Sequence, residues 1–136
     1  MSRRIIAIAV LAFAVILSAE QRPRPHPVDP HWQPPAKAAA QPNPLANQPQ
    51  AALGGRKLFH RYCASCHGPA GAGIERAPNL QSFDTQVQTD GNLFWKITNG
   101  NLDRGMPSFA NLPNLERWQI VLHLRHLEEG AKSPPK

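Results

Sequence analysis

Leu53-Gly54-Gly55-Arg56-Lys57-Leu58-Phe59-His60-Arg61-Tyr62-Cys63-Ala64-Ser65-Cys66-His67 is the stretch from which the rest of the chain can be read. Gly55, Leu58, Phe59 and Tyr62 recur at spacings of three and four, the repeat of one helical face. A helix therefore runs straight into Cys63-x-x-Cys66-His67. Two thiols three positions apart on a helical turn can each reach one vinyl group of a haem, and the adjacent imidazole then points at the iron. C-x-x-C-H is the attachment sequence of c-type haem, and the 2 cysteines of the chain are both spent on it. A redox dithiol would want a strand before the motif and alternating helix and strand around it, whereas a helix precedes it and no convincing strand follows. A zinc site would lack a second pair of ligands, because His123 and His126 lie on what reads as a core helix.

A haem carrier needs a second axial ligand, and the folded segment contains a single methionine, Met106. It sits in Arg104-Gly105-Met106-Pro107-Ser108-Phe109, a loop in which Gly permits a tight backbone and Pro stiffens the residue after the sulfur. A lone Met is ordinarily core filler; downstream of a haem motif and flanked by Gly and Pro, Met106 reads as the distal ligand.

Over roughly residues 53–129 the chain resembles the class I monohaem cytochromes c. Cys63-Ala64-Ser65-Cys66-His67-Gly68-Pro69-Ala70-Gly71, then Ala77-Pro78-Asn79-Leu80, then Gly105-Met106-Pro107-Ser108-Phe109 match that family's attachment site, haem-edge loop and axial-methionine loop in order. The resemblance implies that Cys63 and Cys66 carry the thioethers and that His67 and Met106 are the axial ligands of one haem c. It also implies that the Pro78 carbonyl accepts the second ring N–H of His67, which fixes the imidazole plane and raises its donor strength. Asn79 and Leu80 become pocket lining only through this resemblance.

Two more helices complete the set. Thr89-Asp90-Gly91-Asn92 offers capping residues ahead of Leu93, Phe94 and Ile97 on one face, with Asn99-Gly100 as a stop. Trp95 faces away from that stripe, either partly exposed or bonded to a haem propionate. The last helix, about residues 114–129, has two apolar stripes, Leu115, Trp118, Val121 and Leu122 on one side and Ile120, Leu124 and Leu127 on another, so it must be covered twice. In the resembled family this helix crosses the N-terminal one near a Gly and an aromatic, here Gly55 and Phe59. His123 stands where that family usually has an aromatic residue and reads as a packed interface residue. His60 and His126 read as solvated.

The chain of 136 residues holds at most one compact domain plus tails. Of its 15 prolines, nine fall within residues 20–50 (Pro23, Pro25, Pro27, Pro30, Pro34, Pro35, Pro42, Pro44 and Pro49), too often for helix or central strand. That segment is expected to be an extended spacer reaching up to roughly 90 Å in polyproline geometry, with His26, His31 and Trp32 solvated along it. Before it, Arg3-Arg4 and an apolar run over residues 5–17 ending in Ser18-Ala19-Glu20 have the order of an export signal. The run is short for a spanning helix and the cleavage site is poor, so both a cleaved leader and a retained anchor stay open. The formal charge of +6 divides evenly: residues 1–50 carry five Lys or Arg against two acids, and residues 51–136 ten against seven. Charges so dispersed do not make a phosphate-binding stripe, and nucleic acid is excluded as a partner.

The expected architecture is all-α. Residues 1–19 are leader or anchor, 20–50 a disordered Pro-rich linker, 51–130 a cytochrome c-type helical domain wrapped around a covalently bound haem, and 131–136 a disordered tail. The expected function is one-electron transfer rather than enzymatic catalysis. The donor would be a quinol-oxidising complex or a periplasmic dehydrogenase and the acceptor a terminal oxidase. The protein would be exported to the periplasm, free or held to the inner membrane by residues 5–19, as a shuttle or as a fixed subunit of a complex. The rival is a haem ligand sensor or small peroxidase in which Met106 dissociates.

Overall fold

The computed structural model describes Asp29, residues 31–74 and residues 77–131, the side chains of 128–131 excepted. The leader or anchor over residues 1–19, the first part of the spacer and residues 132–136 lie outside the described residues. Among the described residues there are six α-helices, α1 (Ala36–Ala39), α2 (Ala51–Tyr62), α3 (Ala64–His67), α4 (Phe83–Gln86), α5 (Asp90–Asn99) and α6 (Asn114–Ala131), with a 3-10 turn at Leu102–Arg104. No strand occurs among the described residues; the nearest to one is an isolated antiparallel bridge between Asn101 and Met106. No helix among them is long and apolar enough to cross a membrane.

The crossing of α2 and α6 organises the core. Gly55 makes it possible: a Cβ there would lie 1.9 Å from the Gln119 carbonyl oxygen and 2.5 Å from its carbon, so the backbones touch where a side chain would separate them. One turn later Phe59 is fully buried, with its ring centre 5.3 Å from that of His123. Trp118, Val121 and Leu122 from one stripe of α6 and Ile120 and Leu124 from the other are all buried, so the helix is covered on two sides as its pattern requires. Leu115, on the first turn and before the crossing, is instead 54% exposed. His126 is half-buried rather than solvated, while His60 is exposed.

The middle helix starts and stops where its sequence says it should. The Thr89 side chain accepts from the Asn92 amide at 3.1 Å, satisfying a donor the first turn leaves open, and Gly100 ends α5 at φ +67°. Leu93 and Ile97 are buried, and Phe94 stacks on Trp118 with ring centres 4.0 Å apart. Arg125 of α6 donates to Asp90 at 2.8 Å and to the Gln86 carbonyl at 2.9 Å, tying α6 to the start of α5.

The reading of residues 20–50 as a disordered spacer does not hold for residues 31–50, which form an ordered strap over the domain. Trp32 donates its indole N–H to the Gly100 carbonyl at 2.8 Å. The Ala39 carbonyl accepts from Thr89 Oγ1 at 2.6 Å. Gly91 lets α1 approach so closely that a Cβ would sit 2.1 Å from the Ala38 oxygen. Asn43, buried, donates to the Trp118 carbonyl at 3.2 Å and accepts from the Leu45 amide at 2.9 Å, and Leu45 joins the core. Proline forbids long helices and central strands here, but it leaves a polyproline-like chain whose carbonyls and occasional large side chains can dock on a preformed surface.

The α2–α6 interface contains a proton-linked element. Burial, then the charges of His60, Arg56 and His126, press the His123 pKa from 6.5 down to about 4, and its Nε2 has no hydrogen-bond partner among the described residues. The folded state therefore holds the neutral ring, while the unfolded chain takes up the proton near pH 6.5. The stability involved is complete above that pH and is lost as pH falls towards 4. Urea unfolding midpoints are expected to drop across this window, and to drop less in His123→Phe, which keeps the packing on Phe59; equal slopes in the two proteins would contradict the assignment.

Candidate haem site

Three short pieces of backbone carry the predicted site residues. The first is the turn that joins α2 to α3. Cys63 ends α2, and its carbonyl accepts from the amides of Cys66 at 3.2 Å and His67 at 2.9 Å, so both sulfurs and the imidazole belong to one helical turn. Both thiols are free, Cys63 half-buried and Cys66 exposed. Burial, with a further contribution from Cys66, pushes the Cys63 thiol up to about 12. A redox dithiol needs the opposite shift, because the thiolate is its reactive form.

The second piece is the loop over residues 68–80, laced back onto that turn. Gly73 donates to the His67 carbonyl at 2.8 Å and Leu80 to the Gly71 carbonyl at 2.7 Å; Gln81 Nε2 donates to the Ala70 carbonyl at 2.7 Å. Gly73, at φ +85°, permits the fold-back, since a Cβ there would lie 2.7 Å from the Ala77 oxygen and 3.0 Å from the Pro78 carbonyl carbon. The result puts the Pro78 oxygen 3.1 Å from His67 Nδ1. A carbonyl can only accept, so the proton sits on Nδ1 and the lone pair on Nε2. Burial lowers the His67 pKa while the Pro78 bond opposes the shift; the net direction favours the neutral ring, which is the metal-binding form. Asn79 is exposed and caps its own turn, its Oδ1 accepting from the Gln81 amide at 2.8 Å, while Leu80 packs on the core.

The third piece carries Met106. Asn101 and Met106 exchange backbone hydrogen bonds of 2.8 and 2.9 Å around the 3-10 turn, and Met106 is half-buried. After it, Ser108 Oγ donates to the Thr98 carbonyl at 2.6 Å and the Phe109 amide to the Ile97 carbonyl at 3.1 Å, fixing the loop to α5. The Phe109 ring meets Tyr62, the neighbour of Cys63, at 6.3 Å, so the methionine loop and the cysteine turn share one packed edge.

These residues fit a haem by their donor chemistry: two unpaired thiols and an imidazole that turns Nδ1 to a carbonyl, all on a single turn, and a thioether on the loop whose Phe109 packs on Tyr62. Ile74, on the loop over residues 68–80, and Leu102, on the 3-10 turn before Met106, are 47% and 77% exposed apolar side chains. Trp95 is half-buried. Residues that sequence reasoning missed lie outside this ring of donors. Asp29 accepts from Asn101 Nδ2 at 3.4 Å and pairs with Arg104 at 3.5 Å. Its carboxyl is held below the usual range, first by the His31 amide and also by Asn101 and Arg104, against a burial cost. Lys96 is buried, with its ammonium 4.6 Å from the centre of the Trp32 ring. A tryptophan in a stretch otherwise almost bare of large apolar side chains was the available signal.

A helical domain with C-x-x-C-H directly after its first long helix and a methionine loop after its middle helix is a cytochrome c-type domain, a haem-binding electron-transfer module. Residues 50–124, more than half of the chain, match the family described as cytochrome c oxidase, cbb3-type, subunit III, and the chain belongs to that family. No curated protein matches the chain.

Proposed function

We propose that the domain carries one haem c bonded through Cys63 and Cys66, with His67 and Met106 as axial ligands, and moves single electrons from a quinol-oxidising complex or periplasmic dehydrogenase towards a respiratory terminal oxidase. The observation that carries this reading is the His67 imidazole, its Nδ1 held 3.1 Å from the Pro78 carbonyl beside two free thiols. That bond orients the ring and strengthens Nε2 as a donor. When bound, the haem supplies a one-electron redox centre. The Met106 thioether is a soft donor that would favour reduced iron, and together with His67 it would leave no position for small ligands. Such a site suits transfer rather than turnover of oxygen or peroxide. Arg104, the cationic neighbour of Met106 in sequence, is engaged by Asp29, which further disfavours a peroxidase or sensor.

The family's description as an oxidase subunit favours a fixed component of that complex over a free shuttle. The domain would work on the outer side of the inner membrane, with residues 1–19 as leader or anchor. Optical spectra of the natively matured full chain test the site. The oxidised form is expected to show a sulfur-to-iron charge-transfer band, and the reduced form no change with carbon monoxide. Met106→Ala should abolish the band and make the reduced form sensitive to carbon monoxide; a wild-type protein that already binds it would favour the sensor.

A further inference from the structure

We infer that Trp32 and Asp29 are positioning residues for the Met106 loop, so that the Pro-rich strap controls how firmly the sulfur is presented to the iron. The inference rests on the reading of Met106 as axial ligand.

The backbone couples the two places. Asn101 and Met106 are joined by a reciprocal pair of hydrogen bonds, and Gly100 is pressed on Pro107, where a Cβ would meet the carbonyl carbon and oxygen at 2.5 Å. Whatever holds residues 100 and 101 therefore holds 106 and 107. The strap grips this unit from outside at three points: Trp32 Nε1 on the Gly100 carbonyl at 2.8 Å, Asp29 Oδ2 on Asn101 Nδ2 at 3.4 Å, and the same oxygen on Arg104 Nε at 3.5 Å.

The grip is itself held in place. The Trp32 amide donates to the Asp29 carbonyl at 3.2 Å and the His31 amide to Asp29 Oδ1 at 2.9 Å, so the two gripping residues form one turn. The Lys96 ammonium lies over the Trp32 ring, a cation–π contact that fixes the indole against α5. Farther along, Thr89 on Ala39 and Asn43 on Trp118 hold the strap to α5 and α6. A ligand loop of this kind leaves the iron by opening. Each strap contact that must break first lowers the population of the open form.

The test uses the oxidised, natively matured full chain and imidazole, which can bind the iron only once Met106 has left. Trp32→Phe keeps a ring for Lys96 and removes the N–H; Asp29→Asn removes the charge. Each is expected to speed imidazole binding roughly three- to tenfold, the worth of one lost hydrogen bond, and to lose the sulfur-to-iron band at a lower urea concentration than the far-ultraviolet circular dichroism. Asn43→Ala, which loosens the strap away from the loop, is the control and should speed imidazole binding by clearly less than either loop-side variant.

Unchanged rates in both strap variants, with the wild-type band present, would overturn the positioning role and leave Met106 as ligand. Equal acceleration in the control would also overturn it, since the strap would then act through global stability. Absence of the band in the wild type would overturn both readings together.

Discussion

Gly55→Ala is expected to lower the melting temperature of the holoprotein by about 15 °C, from roughly 3 kcal/mol of overpacking in a domain of this size. The added methyl would begin 1.9 Å from the Gln119 carbonyl oxygen and 3.0 Å from His123 Cβ. The oxygen belongs to α6 backbone and cannot rotate away, so α2 and α6 must separate. Phe59, Ile120 and Val121, all essentially inaccessible to solvent, would lose close packing with them. Gly54→Ala is the matched control. Its methyl would meet the flexible end of the Gln119 side chain at 3.0 to 3.1 Å, and alanine is favoured over glycine in a helix by about 1 kcal/mol, so its melting temperature should stay within a few degrees of wild type. Similar melting of the two variants would show that the crossing tolerates a Cβ and that the packing argument is wrong.

Cys63→Ala with Cys66→Ala is expected to give colourless material and to cut the yield of folded protein several-fold. A helical domain near this size builds a thin core unaided, and a bound group that recognises only the folded chain adds its binding free energy to folding. Here the two side chains that would retain that group are removed, while the His67–Pro78 bond and the Met106 loop are left intact. Destabilisation of a couple of kcal/mol already lowers cellular abundance markedly. Mass spectrometry for the haem adduct and circular dichroism for the fold read the two consequences separately. A soluble, fully helical double variant would mean that the polypeptide core suffices without the prosthetic group.

The parts of this molecule governed by local chemistry were readable from the amino-acid order. The cap at Thr89 and the stop at Gly100 each depend on residue types with few alternative uses, whereas the close approach at Gly55 is implied by the family resemblance. The two-sided burial of α6 was readable too, because a helix with two apolar stripes has no other stable outcome. The juxtaposition of Pro78 with His67 came from family resemblance, since no periodicity places a carbonyl of one loop against an imidazole eleven residues earlier. The strap leaves little trace in the sequence because its attachments include backbone carbonyls, Gly100 and Trp118 as acceptors and Ala39 as the acceptor for Thr89, and a carbonyl carries no signature in the residue type. Lys96 was illegible for the same reason: a lysine reads as solvated unless one knows that an indole will cover it. Leu115 was assigned to the core from its place on the stripe, although the covering helix does not reach that turn.

Ordering of the strap also shortens the leash. If residues 1–19 are retained as an anchor, only nine residues, 20–28, separate it from Asp29, and even drawn straight they cover no more than about 32 Å. A chain kept in the bilayer by that stretch could not sweep freely over neighbouring complexes. It would hover within one domain diameter of the lipid surface, moored on the side where Asp29 meets Arg104, and any docking partner would have to present its own redox centre at that height.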